Sequence, residues 1–413
     1  MNFSTKIIRL ASYKGILPRA TIFVLLTVVG VIGAEAQGTY TIRDLGTLGR
    51  TSSEALAIND SGQVTGSAYT LGTTGNVYRA FLFDGTVMRD LGTLGGTSSL
   101  GAPSINNSGQ VTGYANTAGD TAFHAFRSDG TVMRDLGTLG GTSSFGTAIN
   151  DSGQVTGYAD KAGNGDHAFL FDGTVMTDLG TLDGTVSIGN AINDSGQVTG
   201  YATTTRDAAF HAFLFDGTVM TDLGTLGGTH SIGVAINDSG QVTGSAYTAG
   251  NVYHAFLFDG TVMTDLGTFG GASSHGKRIN NSGQVTGEAQ TAGNAAFHAF
   301  RSDGTVMTDL GTLAGRTDSY AMAINNSGQV TGFSYTPNHI SETHAFLHCP
   351  GDAAMVDLNS FLPPDSGWRL VTGTAINDVG QIAGLAIING QTHAFLLSPD
   401  PIQNLITAPT NRR

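Results

Sequence analysis

The segment 148–159 has the sequence Ala-Ile-Asn-Asp-Ser-Gly-Gln-Val-Thr-Gly-Tyr-Ala, and close copies of it occur eight times along the chain of 413 residues. The isoleucine of the copies lies at positions 58, 105, 149, 192, 236, 279, 324 and 376, so that successive copies are 43 to 52 residues apart. A repeat of about 40–50 residues is typical of β-propeller blades and of some solenoids. The fold therefore follows from what one repeat contains.

Each repeat contains two predicted β-hairpins. In the first, Asn-Asp-Ser-Gly is turn chemistry between apolar Ala-Ile and β-prone Gln-Val-Thr-Gly. In the second, Asp172-Gly173 lies between two further strand-like runs, and we expect a type I′ turn there. This gives four strands of about 5–6 residues, called A (Ala-Ile-Asn), B (Gln-Val-Thr-Gly), C (His-Ala-Phe) and D (Asp-Leu-Gly). No sustained helical period occurs beyond residue 36, so helices should be scarce.

The two ends of the repeat region complement each other. The first strand, Tyr40–Gly46, is a D strand without A, B or C before it, whereas the last repeat ends after its C strand, His393-Ala394-Phe395. One terminus thus supplies the strand that the other lacks, as in a ring with protected sheet edges. We therefore predict an all-β, eight-bladed β-propeller of four-stranded blades, closed by pairing of residues 39–46 with residues 392–397.

Residues 1–36 have the features of a signal peptide. Four basic residues precede the short apolar run 22–33, and Ala34-Glu35-Ala36 has the form of a signal-peptidase site. The apolar run is shorter than the roughly 20 residues that a membrane-spanning helix needs, although a retained anchor is the alternative. We expect a secreted or periplasmic protein with no membrane span after cleavage, a propeller over 37–398 and a polar C-terminal tail over 399–413.

The net charge narrows the classes of partner, and the cysteine content limits disulfide bonding. The formal charge is −13, and removal of Lys6, Arg9, Lys14, Arg19 and Glu35 with the leader would make it −16. Such an acidic chain disfavours binding to nucleic acids and to anionic membranes. Cys349 is the single cysteine, so the chain has no disulfide framework of its own.

The ordered set His-Ala-Phe, Asp-Leu-Gly-Thr-Leu-Gly-Gly and Ile-Asn-Asp-Ser-Gly-Gln-Val resembles the HAF repeat of extracellular bacterial proteins. The resemblance covers residues 40–397, and the segment 357–368 resembles the closing repeat of that family. The first repeat departs from the pattern because Arg79 replaces the histidine. The resemblance implies a repeat protein with an extracellular location and implies no reaction, ligand or catalytic residue.

The repeated histidine raises the question of a metal or catalytic site. Equivalent positions on separate blades are spread around a ring, whereas metal ligands must converge within about 2–2.6 Å of the ion. We therefore predict buried histidines with a structural role, each bonded to a neighbouring strand or turn, with the Asp of Asp-Leu-Gly one strand away as a candidate partner. The histidines are His124, His167, His211, His254, His298, His344 and His393, and the aspartates are Asp44, Asp90, Asp135, Asp178, Asp222, Asp265, Asp309 and Asp357.

The Asn-Asp-Ser-Gly turns superficially resemble calcium loops. They offer too few oxygens for the six to eight ligands of Ca²⁺, because a calcium loop needs alternating carboxylates and a closing acid. We expect turns rather than calcium sites, with no metal, no cofactor and no catalytic residue.

The B–C connections vary most between repeats, and function usually lies on variable loops of a rigid scaffold. We expect the face that carries them to be the binding surface. In strand A of the sixth repeat, His275, Lys277 and Arg278 stand where other repeats have small or apolar residues. These three are the candidate binding residues, as an anion-binding spot at the ring mouth, and the alternative is a solvated irregular strand.

Two functions from different classes remain. The first is an exported binding or interaction scaffold without catalytic activity, whose extracellular ligand is a carbohydrate or a protein. The second is a carbohydrate-active propeller enzyme, a hydrolase or lyase that uses aspartate carboxylates. A glycoside hydrolase needs two carboxyl groups about 5–9.5 Å apart at one site, which near-identical blades do not favour.

Overall fold

The computed structural model describes residues 40–72, 75–337 and 339–400, which form eight four-stranded antiparallel sheets arranged in a ring. The predicted eight-bladed β-propeller is confirmed. In every blade the order of the strands across the sheet is the order A, B, C, D, with strand A innermost. The predicted signal peptide and residues 401–413 of the predicted tail lie outside the described residues.

The chain begins with β1 (Tyr40–Gly46), which belongs to the last blade. Blades 1 to 4 follow as β2 Ser53–Ile58, β3 Val64–Gly72, β4 Gly75–Phe83, β5 Met88–Asp90; β6 Gly95–Ile105, β7 Val111–Thr117, β8 Phe123–Ser128, β9 Met133–Asp135; β10 Gly140–Ile149, β11 Val155–Lys161, β12 Asn164–Phe171, β13 Met176–Asp178; β14 Ser187–Ile192, β15 Val198–Thr203, β16 Phe210–Phe215, β17 Met220–Asp222.

Blades 5 to 8 consist of β18 Gly227–Ile236, β19 Val242–Thr248, β20 Tyr253–Phe258, β21 Met263–Asp265; β22 Gly270–Ile279, β23 Val285–Thr291, β24 Phe297–Ser302, β25 Met307–Asp309; β26 Asp318–Ile324, β27 Val330–Tyr335, β28 His344–His348, β29 Val356–Asp357; β30 Trp368–Ile376, β31 Ile382–Ile388 and β32 Gln391–Pro399. The helical segments are short 3₁₀ turns at Ala118–Asp120, Thr205–Asp207, Ala292–Asn294, Ile340–Glu342 and Leu358–Phe361. The predicted scarcity of helix is thus confirmed for the described residues.

The N-terminal strand closes the ring as predicted. Strand β1 pairs antiparallel with β32, with Tyr40 opposite Pro399 and Gly46 opposite Ala394. The pairing extends two residues further along β32 than predicted, so that Pro399 belongs to the strand rather than to the tail. His393 and Asp44 join the two termini, with 3.0 Å between His393 Nδ1 and Asp44 Oδ1. The last blade is therefore built from both ends of the described chain.

The D strands depart from the predicted length and position. Strand β13 has three residues and ends at Asp178, so that Leu-Gly of the Asp-Leu-Gly motif lies beyond the strand. The reason is local, because Asp178 Oδ1 accepts a hydrogen bond at 2.8 Å from the backbone N–H of Gly180. This Asx turn bends the chain towards the next blade.

The C–D turns are not type I′, contrary to the sequence prediction. A type I′ turn requires positive φ at both central residues, but only Gly173 has it (+107°) and Asp172 does not. Instead Asp172 Oδ1 accepts hydrogen bonds from the backbone N–H groups of Thr174 and Val175 at 2.8 and 2.9 Å. The carboxylate caps a four-residue Asp-Gly-Thr-Val loop, which the dipeptide alone does not indicate.

The core lies between successive blades. The Phe of each His-Ala-Phe is fully buried, and it packs with Val and Ala of strand B from its own blade and with Ala and Leu of the preceding blade. In blade 3, for example, Phe169 and Val155 pack against Ala125 and Leu136 of blade 2. Burial of these side chains stabilises the ring by about 1.5–3 kcal/mol for each large one.

A glycine in strand B allows strand A to come close. A Cβ built on Gly157 would lie 1.9 Å from the backbone oxygen of Phe145, where strand A bulges between Gly146 and Ala148. The Gly of Val-Thr-Gly is therefore needed at this contact, and any side chain would push strand A into the channel.

A ring of asparagines connects all eight blades. The Asn of each Ile-Asn motif donates from Nδ2 to the backbone oxygen of the equivalent Asn in the next blade, at 2.9 to 3.1 Å. The last of these bonds runs from Asn377 to Asn59 and closes the circle. Each Asn is buried, and its Oδ1 accepts the backbone N–H of the Gln four residues later, as in Asn150 and Gln154 at 2.9 Å. The repeated Asn thus links neighbouring blades as well as forming a turn.

Candidate binding site in the central channel

Two adjoining cavities occupy the channel inside the ring. The first has a volume of about 320 Å³ and lies at the A–B turns, where it is lined by the Ile-Asn-Asp or Ile-Asn-Asn residues of every blade. The second has about 620 Å³ and opens towards the B–C connections. Ile236 and Ile279 line both cavities, which places them end to end along one channel.

A second ring of hydrogen bonds surrounds the mouth at the A–B turns. The residue after each ring asparagine donates its backbone N–H to the side-chain Oδ1 of the equivalent residue in the next blade, at 2.8 to 3.3 Å. Its members are Asp60, Asn107, Asp151, Asp194, Asp238, Asn281, Asn326 and Asp378. Their side chains hold neighbouring blades together, so the mouth is built from structural bonds.

Asparagine relieves repulsion in this acidic ring. Asn107, Asn281 and Asn326 each donate from Nδ2 to a neighbouring carboxylate, at 3.0, 2.6 and 2.7 Å. Asp194 instead stands between two aspartates. Partial burial and the charges of Asp151 and Asp238 raise its pKa.

The structure gives no support to a calcium site at the turns. Each carboxylate of the ring already accepts a backbone N–H, and within the described ranges no group of three or more His, Cys, Asp or Glu is placed to hold a metal ion. The expectation that the protein takes no metal or cofactor stays a prediction.

The opposite mouth, on the predicted B–C face, is aromatic. Tyr114, Phe145 and Tyr158 line the larger cavity from blades 2 and 3. Phe145 and Tyr158 are stacked with 4.9 Å between ring centroids, and Tyr114 meets Phe145 edge-on at 5.0 Å. All three side chains are partly buried, and all three form part of the cavity wall.

Further aromatic groups continue around this face. Blades 4 to 6 contribute Tyr201, Phe210, His230, Tyr247, Tyr253 and His275 in consecutive ring contacts, and blades 6 and 7 contribute Phe297, Tyr320, Phe333 and Tyr335. We call the full set, with Tyr114, Phe123, Phe145 and Tyr158, the aromatic arc. The sequence prediction missed it, although Tyr after Val-Thr-Gly and Phe before His-Ala-Phe recur in several repeats.

The three basic candidates lie in strand β22, whose pairing with β23 shifts register between Gly276 and Arg278, and they do different things. His275 Nδ1 contacts Ser245 Oγ at 3.1 Å, and burial followed by the charge of Lys277 lowers the pKa of His275. Lys277 Nζ forms an ion pair at 2.8 Å with Glu288, which is 7% exposed. Arg278 lines the larger cavity and its Nη1 donates to the backbone oxygen of Lys277 at 2.9 Å. Of the three, only Arg278 lines the channel. Among the described residues, no carboxylate forms an ion pair with it.

The repeated histidines form pairs with the predicted aspartates. His Nδ1 lies 2.6 to 3.0 Å from the Asp carboxylate in seven blades, as in His167 and Asp178. In blade 1 Arg79 takes the place of histidine and lies 3.5 Å from Asp90. The predicted burial is confirmed for His167 but wrong for the other paired histidines, which are partly exposed. The pairs connect strands C and D within a blade or across the ring closure, away from both channel cavities, which agrees with the predicted structural role.

Two non-repeated acids meet in the B–C connection of blade 3. Asp160 and Asp166 are opposite each other in the β11–β12 pairing, so that each carboxyl group affects the pKa of the other. The hydroxyl of Thr142 lowers the pKa of Asp160, whereas burial and the contact with Asp160 raise the pKa of Asp166.

Comparison with known proteins adds only similarity of fold. An oligogalacturonate lyase in complex with manganese is 12% identical, with a TM-score of 0.45, and the match covers 84% of this chain and 99% of the lyase. TolB from Acinetobacter baumannii is 9% identical, with a TM-score of 0.38 and coverage of 82% and 80%. The six-bladed β-propeller lectin of Aleuria aurantia is 14% identical, with a TM-score of 0.31 and coverage of 64% and 98%. Such low values carry no argument about function.

No family model matches the chain, and no curated protein matches it. The resemblance to HAF-repeat proteins therefore stays a prediction. No helix among the described residues is long and apolar enough to cross a membrane.

Proposed function

We propose that this protein is an exported, non-catalytic binding scaffold whose ligand enters the channel through the mouth at the B–C connections. The observation that supports this most is the cavity of about 620 Å³ with Tyr114, Phe145 and Tyr158 on one wall and Arg278 on another. Ligand pockets commonly have about 300–1,000 Å³, an aromatic lining and a small number of polar groups. The mouth at the A–B turns is less suited to ligands, because its polar side chains are used in bonds between blades.

Departures from the repeat also support this location. The histidine–aspartate pairs and both rings of hydrogen bonds recur in nearly every blade, as a structural framework requires. The larger cavity is instead lined by residues that differ between blades, such as Thr147, Asn190, Val234 and Arg278. A single ligand in a central channel needs such asymmetry.

A glycan array probed with purified protein of residues 37–413 tests the proposal. We expect binding to a restricted set of glycans, without release of shorter products on incubation. Val234→Trp would fill part of the cavity and should abolish binding. Val219→Trp is the matched control, since Val219 is 58% exposed on a C–D turn outside the channel. Equal binding by both variants would contradict the channel as the site.

The second candidate function, a carbohydrate-active enzyme, is favoured by one observation, the Asp160–Asp166 pair. Pairs of acids whose environments move their pKa values apart are typical of general acid–base catalysis. An assay for new reducing ends or unsaturated products with the bound glycans tests it. If the protein releases such products and Asp166→Asn abolishes their release, the protein is an enzyme and the proposal of a non-catalytic scaffold is wrong.

A further inference from the structure

Arg278 is an exception to the repeat at a position where a large cation is not needed for folding. The equivalent residues of the other blades are Ala57, Ser104, Ala148, Ala191, Ala235, Ala323 and Ala375. The Arg278 guanidinium makes one hydrogen bond, to Lys277 O, and in the described ranges no carboxylate lies within ion-pair distance of it. A guanidinium can donate five hydrogen bonds, so most of its donors are left for a ligand.

The nearest acidic group on the neighbouring strand is already neutralised. Glu288 on β23 pairs with Lys277 at 2.8 Å, and Lys277 also lies over the Tyr320 ring at 5.3 Å from its centroid. Burial raises the pKa of Glu288, and its ion pair with Lys277 opposes this effect. Arg278 is partly buried in the channel wall and its charge has no carboxylate partner among the described residues, which costs stability. An anionic ligand would supply that partner.

The wall opposite Arg278 has different chemistry. Blades 2 and 6 face each other across an eight-membered ring, so that Tyr114 and Leu100 of blade 2 lie across the channel from Arg278. Together with Phe145 and Tyr158 they form an apolar, aromatic surface. A ligand that spans the channel needs an apolar face at the end away from its charge.

Asn190 adds an acceptor between these two walls. Its Nδ2 donates at 2.8 Å to the backbone oxygen of Gly233 in the next blade, which fixes the orientation of the amide. The Oδ1 atom is then directed away from that bond and can accept a hydrogen bond. A hydroxyl group is the ligand group that this oxygen would select.

We propose that the larger cavity binds a sugar acid. Its carboxylate would lie on the Arg278 guanidinium in a bidentate pair, the C–H face of its ring against Tyr114, Phe145 and Tyr158, and a hydroxyl on Asn190 Oδ1. This inference rests on the proposed binding function and adds the chemical class of ligand. The cavity of about 620 Å³ has room for one or two sugar rings.

Isothermal titration calorimetry with D-glucuronate, its neutral amide D-glucuronamide and D-glucose tests the proposal on the protein of residues 37–413. We expect glucuronate to bind more tightly than either neutral sugar. Arg278→Ala should weaken glucuronate binding by about 10- to 100-fold, as expected for loss of a charge-assisted hydrogen bond. This variant restores the residue that six other blades already have, so it should fold.

Arg206→Asn is the matched control. Arg206 is exposed in the B–C connection of blade 4 with φ +63°, which asparagine tolerates, and the variant removes the same charge from the same face. We expect its affinity for glucuronate to stay within about twofold of the parent protein, because surface charges act weakly at a distance.

Equal affinities for glucuronate and glucuronamide would overturn the inference, and so would unchanged binding in Arg278→Ala or no binding of glucuronate at 20 mM. These outcomes are separable from failure of the proposed function. If neutral glycans bind and Val234→Trp abolishes that binding, the channel is the site and only the sugar-acid class is wrong. If Val234→Trp leaves glycan binding intact, the channel itself is wrong.

Discussion

Replacement of one asparagine of the ring should show how much its hydrogen bonds between blades contribute to the unfolding free energy. In Asn150→Ala three side-chain hydrogen bonds are lost: Nδ2 to Asn193 O at 3.0 Å, Nδ2 to Gln154 Oε1 at 2.7 Å, and Gln154 N to Oδ1 at 2.9 Å. The site is 4% exposed, so water does not readily replace the lost partners. The backbone N–H of Gln154 loses its acceptor, and Asn193 O loses its partner from the neighbouring blade.

The expected loss of unfolding free energy is about 3–4 kcal/mol. A typical hydrogen bond contributes about 1 kcal/mol net, and leaving a buried polar group unpaired costs about 1–3 kcal/mol. Equilibrium unfolding in urea, followed by far-ultraviolet circular dichroism, gives this quantity. With an m-value of about 3 kcal/mol/M or more for a chain of this size, the midpoint should fall by roughly 1 M.

Ser152→Ala is the matched control for the ring asparagine. Ser152 lies in the same turn, is exposed, and its side chain makes no hydrogen bond within the described part of the chain. Its replacement should change the unfolding free energy by no more than about 0.5 kcal/mol. Midpoints that coincide for the two variants would refute the reasoning, because the asparagine would then be only a turn residue.

Three further predictions concern closure, the histidine pairs and the acidic ring. Deletion of residues 37–46 removes β1 and exposes the edge of β32, so it should lower the melting temperature far more than deletion of 403–413; equal effects would contradict the closed ring. His167→Ala should cost about 1–3 kcal/mol in urea unfolding without changing ligand affinity, and the more exposed His124→Ala should cost less. Asp194→Asn should stabilise the protein at pH 7 by about 0.5 kcal/mol, because it removes one like charge and keeps the Oδ1 acceptor. Since the raised pKa of Asp194 means that protonation is favoured in the folded state, this advantage should shrink as the pH falls through that pKa, and an advantage that grows towards pH 4 would contradict it.

The repeat made the architecture predictable. Its period, its two turns and the unmatched D strand at Tyr40–Gly46 were sufficient for the number of blades and for closure. The pairing of His167 with Asp178 was predictable as well, because strands C and D are neighbours in a meander and buried polar groups need partners. These inferences use only contacts within one blade or between the two ends of the repeat region.

Contacts between blades were not predictable in the same way. Asn150 has the sequence features of a turn residue, and its bond to Asn193 depends on the distance between two blades. The same limit applies to the aromatic arc, whose members come from several strands and blades. Lys277 was grouped with Arg278 because they are adjacent in sequence, but only Arg278 of the two lines the cavity, while Lys277 pairs with Glu288.

Because the blades are nearly identical, we expect a ligand site where the residues of one blade differ from those of the others. A feature present in every blade, such as the asparagine ring, is fully used in holding neighbouring blades and leaves no group for a ligand. Arg278 has the opposite character, since alanine at six equivalent positions shows that the fold does not need it. A partly buried cation without a carboxylate partner lowers stability, and an anionic ligand would supply the compensating interaction. Arg278→Ala should therefore raise the melting temperature of the ligand-free protein while it weakens ligand binding, and this pair of opposite effects separates a binding residue from a structural one.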